Sequence, residues 1–518
     1  MTITSQIIVF ALITALLLTI AATIILSLIP TFIANRSVTP KTNTKALRIA
    51  VVGAGISGLN AGLTLLDSNL FSTKNIIIYE ANSIVGGRMH TKHWTADTQT
   101  SEWCGEYLDT NYYSMISLIN RFNIQLLDTF AIANSLYNTT YYFLKRYYTT
   151  TQAWTDYKVV ESTIIQQLEQ IGSINYSQSN TYGRYFDNLS LYDWIEKYVP
   201  NGHQSDFGEY LDSAYLQEYG LDTQKLNSIQ FLKTIDPSSQ PANGPLSIYG
   251  LSDQRFRMIG GNDQLPITVA QHLTDNGIKI QLNHNLTKIV KLANKKYRLT
   301  FSDNNAYTFD HVILTIPTTT LKYVDYSQAQ FDTLKQRIIN ELVYGTNTKV
   351  NLQFTKRFWY DESSDGVIYT DLPFLNSWEE TLGQQGTTGI IVLLTGGAEG
   401  LAFNPRTGFD SISSLEGSVS TNVYIQNFLS NLDEVWFNAS KYYTGLATVS
   451  APWYDNHYLG SYPAYTLNQY STLYGYEKQR QGSIHFAGDY TSLNYLGLME
   501  GAVAEGARAA NEIINDYK

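Results

Sequence analysis

Residues 48–58 read RIAVVGAGISG, an apolar run leading directly into Gly53, Gly55 and Gly58 at GxGxxG spacing. This pattern predicts a strand, a tight turn and a helix whose N-terminus faces an anion. Gly53 suits the positive φ of the turn, Gly55 lets backbone approach a pyrophosphate, and Gly58 lets helix and strand pack closely. Ile56 and Ser57 open the helix beside the phosphates. A second apolar run, NIIIYE at 75–80, ends in Glu80, 22 residues after Gly58, where an acid grips a ribose hydroxyl. Together these segments predict a dinucleotide-binding βαβ unit.

Gly86, Gly87 and Arg88 follow Glu80 closely, and a glycine pair ending in arginine brings a guanidinium to the pyrophosphate. With Glu80, this favours FAD over NAD. Far downstream, GSIHFAGD at 482–489 reads as a short strand turning into an acid-bearing loop, and 497–514 reads as a buried final helix. Residues 258–266, 278–282 and 311–317 (HVILTIP) look like further pieces of the same α/β domain. The expected architecture is a Rossmann-like FAD-binding domain (47–110, 251–317 and 446–518) interleaved with an α+β substrate-binding domain (111–250 and 318–445). Residues 137–154, rich in Tyr and Thr, form either a cap or a surface hairpin.

The first residues make a separate prediction. Residues 7–29 are uncharged and apolar over 23 positions, the length of a transmembrane helix, and no basic segment precedes them as in a signal peptide. The reading is a single-pass anchor over 1–34 in the lipid bilayer, then a tether over 35–46. Arg36, Lys41 and Lys45 follow the span, which places the large domain on the cytoplasmic side. A net charge of −10 without a long basic cluster argues against nucleic acid. Cys104 is the single cysteine, so no intrachain disulfide forms. His90 and His93 are the one close histidine pair, with no HExxH or cysteine cluster beside them, so no metal site is expected.

In these blocks the chain resembles the flavin-containing amine oxidase family. The matching stretches, besides GxGxxG and GGR, are RMIGGNDQLP (257–266), VILTIP (312–317), VYGTNTKVNLQFTKRFW (343–359), GSYPAY (460–465), and HFAGDYTS with GLMEGA (485–502). The resemblance implies that FAD is held by Gly53, Gly55, Ile56, Ser57, Gly58, Glu80, Gly87, Arg88, Leu286, Gly488 and Asp489. It also implies that the helix starting near Met499 points its N-terminus at the flavin. Lys349 falls where relatives place a lysine bonded through water to the flavin N5, and Tyr462 matches one ring of their aromatic cage. The second cage position is Leu498, with Tyr495 near it. Ser461 stands where monoamine oxidases carry the cysteine bonded to FAD, so noncovalent FAD is implied.

Amino-acid oxidases place an arginine after the equivalent of Gly105, and here Glu106 and Tyr107 follow instead. Arg255 and Arg257 remain possible carboxylate clamps, while Glu106 and Asp109 would attract a cationic amine. The implied activity is oxidative deamination of a monoamine or polyamine, with O2 reduced to hydrogen peroxide. An L-amino-acid oxidase or monooxygenase, a desaturase-type enzyme, and a noncatalytic flavoprotein are the alternatives.

Overall fold

Three distant parts of the chain build one parallel sheet. The computed structural model describes residues 43–95, 97–133, 137–241, 246–413 and 419–518, and a compact unit runs from Lys45 to Asp516. Its five-stranded sheet has the order Ile484–Phe486, His311–Leu314, Ile49–Val52, Ile76–Tyr79 and Lys279–Gln281, with all neighbours parallel. Ile49, Ala50, Val51 and Ile78 are fully buried. A parallel sheet is covered on both faces, so its strands read as continuous rather than alternating apolar runs.

Helix Ile56–Asp67 leaves the first strand through Gly53, whose φ of +109° is open to glycine and strained for other residues. Helix Met499–Asn515 packs across it, and the two backbones touch at Gly506, where a Cβ would lie 2.1 Å from the Ser57 carbonyl oxygen. The Asn60 side chain donates to the Val503 carbonyl at 2.8 Å across the same contact. The glycines and alanines of 497–514 therefore serve close helix packing, as their spacing predicts.

A four-stranded sheet, Ala306–Phe309, Tyr297–Phe301, Leu286–Lys291 and Asp325–Gln328, lies beside the cofactor sheet through a shared core containing Tyr79, Phe301, Phe309 and Phe486. The cofactor-side core thus continues past residue 317, because Leu321, Val324 and Phe331 belong to it. An eight-stranded sheet forms the second layer, in the order Phe409–Ser413, Tyr443–Ser450, Thr348–Phe354, Gly389–Thr395, Asn376–Glu379, Ser364–Thr370, Asn138–Phe143 and Arg146–Tyr147. The boundary drawn from sequence at 445/446 falls inside strand Tyr443–Ser450, which pairs with Thr348–Phe354.

Residues 137–154 resolve into the sheet-edge hairpin of Asn138–Phe143 and Arg146–Tyr147, then helix Thr150–Ile171, whose Thr149 and Gln152 form a capping box. An aromatic core that includes Tyr157, Trp194, Tyr210, Tyr215 and Phe231 fills the helical part of this half. The predicted span at 7–29 and most of the tether lie outside the described residues. Among the described residues no helix is long and apolar enough to cross a membrane. At the end of the predicted tether, Lys45 is docked, its ammonium donating to the Asn69 and Phe71 carbonyls at 2.7 and 3.0 Å.

Candidate active site

A cavity of about 990 Å³ runs from the glycine-rich turn to the eight-stranded sheet. At its first end the turn and the GGR segment clasp each other: the Gly86 amide donates to the Ala54 carbonyl at 3.0 Å. The Glu80 carboxylate accepts from the amides of Ala54 (2.7 Å) and Asn82 (2.8 Å), which fixes it at the end of strand Ile76–Tyr79 and at the cavity wall. Burial pushes its pKa up, against these amides, which lower it. Gly53, Gly55, Ile56, Ser57, Gly87, Leu286, Gly488 and Met499 line the same space, whereas Gly58 packs behind the turn, with the Gly53 carbonyl in the way of any side chain.

Arg88 ties the two ends of the chain together. Its guanidinium donates to the Ser461 carbonyl and, at 2.6 Å, to Asp489 Oδ1. Arg88, which also lines the cavity, thus clasps the GGR segment to the C-terminal segments. Among the described residues, neither the buried Asp489 Oδ2 nor the buried Ser57 hydroxyl at the start of the first helix has a hydrogen-bond partner. Buried acceptors without donors are rare in folded proteins. Here they suit a polyhydroxylated, phosphate-bearing ligand: a hydroxyl for Asp489 Oδ2, and a phosphate for the helix N-terminus beside Ser57. A flavin dinucleotide carries both groups, and the residues present fit it.

At the other end, Lys349 enters from strand Thr348–Phe354, 5% exposed. Its ammonium lies 2.6 Å from Glu106 Oε2, 3.8 Å from Glu380 Oε2 and 5.4 Å from the centre of the Trp378 ring. Burial works against the ammonium, but the two carboxylates outweigh it and raise its pKa. Glu106, expected as a lure for cationic substrate, is spent internally. Lys349, Arg257 (2.7 Å) and the Trp378 indole (2.9 and 3.0 Å) all contact its carboxylate, and the two cations overcome burial to hold it at about 2. Asp109 accepts from the Gln254 amide at 2.8 Å and from Ser252 at 3.1 Å.

Neither arginine considered as a carboxylate clamp is free. Arg255 forms a bidentate pair with Asp128 (3.0 and 2.7 Å), and Arg257 is held by Glu106, the Tyr107 hydroxyl and the carbonyls of Glu379 and Glu380.

Tyr462, Leu498 and Tyr495 all reach the cavity. The Tyr462 hydroxyl donates to the Gln217 carbonyl at 3.3 Å. Leu498 caps the N-terminus of helix Met499–Asn515, and Tyr495 donates to the Asn111 carbonyl and meets Tyr112 edge-on at 5.8 Å. The walls are completed by Tyr219, Tyr249, Tyr369 and Trp378, which sequence reasoning did not single out. A further residue it missed is Glu218, at the end of helix Asp206–Tyr219. This carboxylate lines the cavity and, among the described residues, accepts no hydrogen bond and pairs with no cation. Burial, then the nearby Asp109, pushes its pKa up to about 7.

Among the described residues one set of possible metal ligands gathers, His311, His485 and Asp516, outside the cavity lining. Glu512 holds His485 at 2.6 Å and Arg480 holds Asp516 at 2.8 Å.

A glycine-rich turn with a ribose-side acid, a cavity-facing carboxylate that lacks a donor, and a buried lysine facing an aromatic pocket define a flavoprotein oxidoreductase site. The chain belongs to the flavin containing amine oxidoreductase family, whose model matches residues 56–514. A putative L-amino-acid oxidase, YobN, from Bacillus subtilis is 29% identical over 272 residues, a match spanning 50% of this chain and 52% of that protein. An L-amino-acid oxidase from Sistrurus catenatus edwardsii is 22% identical over 93% of this chain and 89% of its own. In fold, the chain is similar to cyclohexylamine oxidase from Brevibacterium oxydans (TM-score 0.75, 15% identity, 91% of this chain and 99% of that one). It is likewise similar to a putrescine oxidase bound to putrescine (TM-score 0.72, 18% identity, 90% and 99%).

Proposed function

We propose that this protein is an FAD-dependent oxidase of a small monoamine or polyamine, converting the carbon beside the amine nitrogen to an imine that water then hydrolyses. When bound, FAD supplies the hydride acceptance and its return to O2 as hydrogen peroxide. Noncovalent attachment is supported by Ser461, which carries no thiol, and by Cys104, whose thiol burial pushes up to about 11.

The chain's own residues order the reaction. Tyr462 and Trp378 offer ring faces to align an amine, Met499 and Leu498 close the wall at the helix N-terminus, and Lys349 places a fixed positive charge beside the aromatic pocket.

The observation that carries the amine reading is Glu218: a carboxylate in the cavity wall without a cation suits an ammonium group. The second reading, an L-amino-acid oxidase, is supported by the named sequence relatives and by Lys233. Its ammonium lies over the Tyr470 and Tyr474 rings, at 5.4 and 5.8 Å, in a residue that lines the cavity, and forms no ion pair among the described residues.

Steady-state kinetics of Glu218→Gln and Lys233→Met with matched amines and L-amino acids separate the two. A KM increase for amines in Glu218→Gln, with Lys233→Met neutral, supports the amine reading. An increase for amino acids confined to Lys233→Met replaces it with the second. The uncharged run at 7–29 supports attachment to a lipid bilayer with the catalytic unit on the cytoplasmic side. Retention of the full chain in carbonate-washed membranes, with protease resistance in sealed cells, tests this, and release by carbonate contradicts it.

A further inference from the structure

The charges around Lys349 do not balance unless a proton is added. Glu102, Glu106 and Glu380 are each at most 6% exposed, and the cations among them are Lys349 and Arg257. Three buried carboxylates against two cations leave one negative charge, an arrangement that favours neutralisation by protonation.

The oxygen atoms of the three carboxylates differ in how they are satisfied. Both Glu106 oxygens are filled, one by Arg257 and one by Lys349, with the Trp378 indole shared between them. Both Glu102 oxygens are filled, Oε1 by the Asn262 amide at 2.9 Å and Oε2 by the Thr91 hydroxyl at 2.9 Å. Glu380 Oε1 accepts from the Glu102 amide at 2.7 Å. Glu380 Oε2 is buried and, among the described residues, has no donor, the Lys349 ammonium at 3.8 Å being too far for a hydrogen bond. Glu106 Oε2 and Glu380 Oε2 face the same Lys349 ammonium, at 2.6 and 3.8 Å, which makes the two carboxylates neighbours. Two ionised carboxylates so placed repel, whereas a proton turns the orphaned acceptor into a donor and satisfies both.

We propose that Glu380 is protonated at neutral pH and donates to Glu106, making it the positioning residue that holds the Glu106–Lys349 pair in place beside the aromatic pocket. An ionised Glu380 would compete with Glu106 for the ammonium. Burial raises both Glu380 and Glu102, so Glu102 is the competing site for the same proton. The neighbours that act on this equilibrium are Lys349, Arg257, Glu106 and the Tyr107 phenol.

The assignment of the proton stands apart from the substrate. Its effect on turnover rests on the amine oxidase reading. Infrared difference spectra of the full chain without flavin, parent minus Glu380→Gln and parent minus Glu102→Gln, read the carbonyl stretch of a protonated carboxyl and its shift in deuterium oxide. Glutamine at 380 keeps the acceptor for Glu102 and supplies an amide donor to Glu106, and a cooperative melt confirms that each variant folds.

The expected result is a carboxyl band lost in Glu380→Gln and kept in Glu102→Gln. Loss in Glu102→Gln alone, or no band lost in either, overturns the proposal. In the flavin-loaded protein, the reoxidation rate of the parent should fall at alkaline pH while that of Glu380→Gln stays flat. Matching alkaline limbs in the two proteins would reduce Glu380 to a packing role. Should no amine reduce the flavin while the band behaves as expected, the functional reading fails and the proton assignment survives.

Discussion

On the proposed reading the chemistry turns on Lys349 and Glu218, one a cation bound by carboxylates and the other a carboxylate that pairs with no cation among the described residues. Lys349→Met should leave FAD binding intact and slow turnover or reoxidation in stopped-flow traces; parental rates would remove its role. Glu218→Gln should raise KM for amines roughly tenfold to a hundredfold, the range set by about 1.5–3 kcal/mol for a hydrogen bond to a charged group.

Glu218 also predicts a pH dependence of stability. Its folded pKa, about 7, lies above the unfolded value. Its contribution is therefore complete below the ordinary glutamate range and is lost as pH rises through about 7. Melting temperatures of Glu218→Gln should fall less than those of the parent across that window, and parallel curves would contradict the assignment. Lys349 and Tyr462 were legible because each sits in a short block with its own pattern. Glu218, Trp378 and Glu380 were not, because their meaning comes from neighbours distant in the chain: Glu380 and Glu106, 274 positions apart, share Lys349 only once the chain is folded.

Among the elements, the contact between helices Ile56–Asp67 and Met499–Asn515 decides whether the cofactor end of the cavity forms. Gly506→Val would drive a side chain into the Ser57 carbonyl, 2.1 Å from an ideal Cβ. Overpacking of that kind costs about 1–3 kcal/mol. Since Ser57 and Met499 both line the cavity, FAD affinity should fall together with the melting temperature. A variant that melts earlier yet binds FAD at parental strength would show that the two helix ends are positioned independently. The spacing of 48–58 and 497–514 made these helices readable, because glycine at contact points and apolar periodicity are local signals. The end of the eight-stranded layer in chain order was harder to read: strand Tyr443–Ser450 is interrupted by no proline and is polar where it begins.

For the whole molecule, the organising fact is that a single parallel sheet draws strands from residues 49–79, 279–314 and 484–486, and Arg88 then locks the first of these segments to the last through Ser461 and Asp489. Arg88→Met should loosen both ends at once, lowering FAD affinity and leaving the Asp489 carboxylate without its cation.

The decisive measurement is anaerobic. The full chain, solubilised in detergent and loaded with FAD, would be mixed with monoamines, diamines, polyamines and L-amino acids while the flavin spectrum is followed, and air then admitted. Bleaching by amines, followed by recovery of the spectrum and release of hydrogen peroxide, is the predicted result. Bleaching by L-amino acids alone, or by none of these compounds, would contradict the amine oxidase assignment.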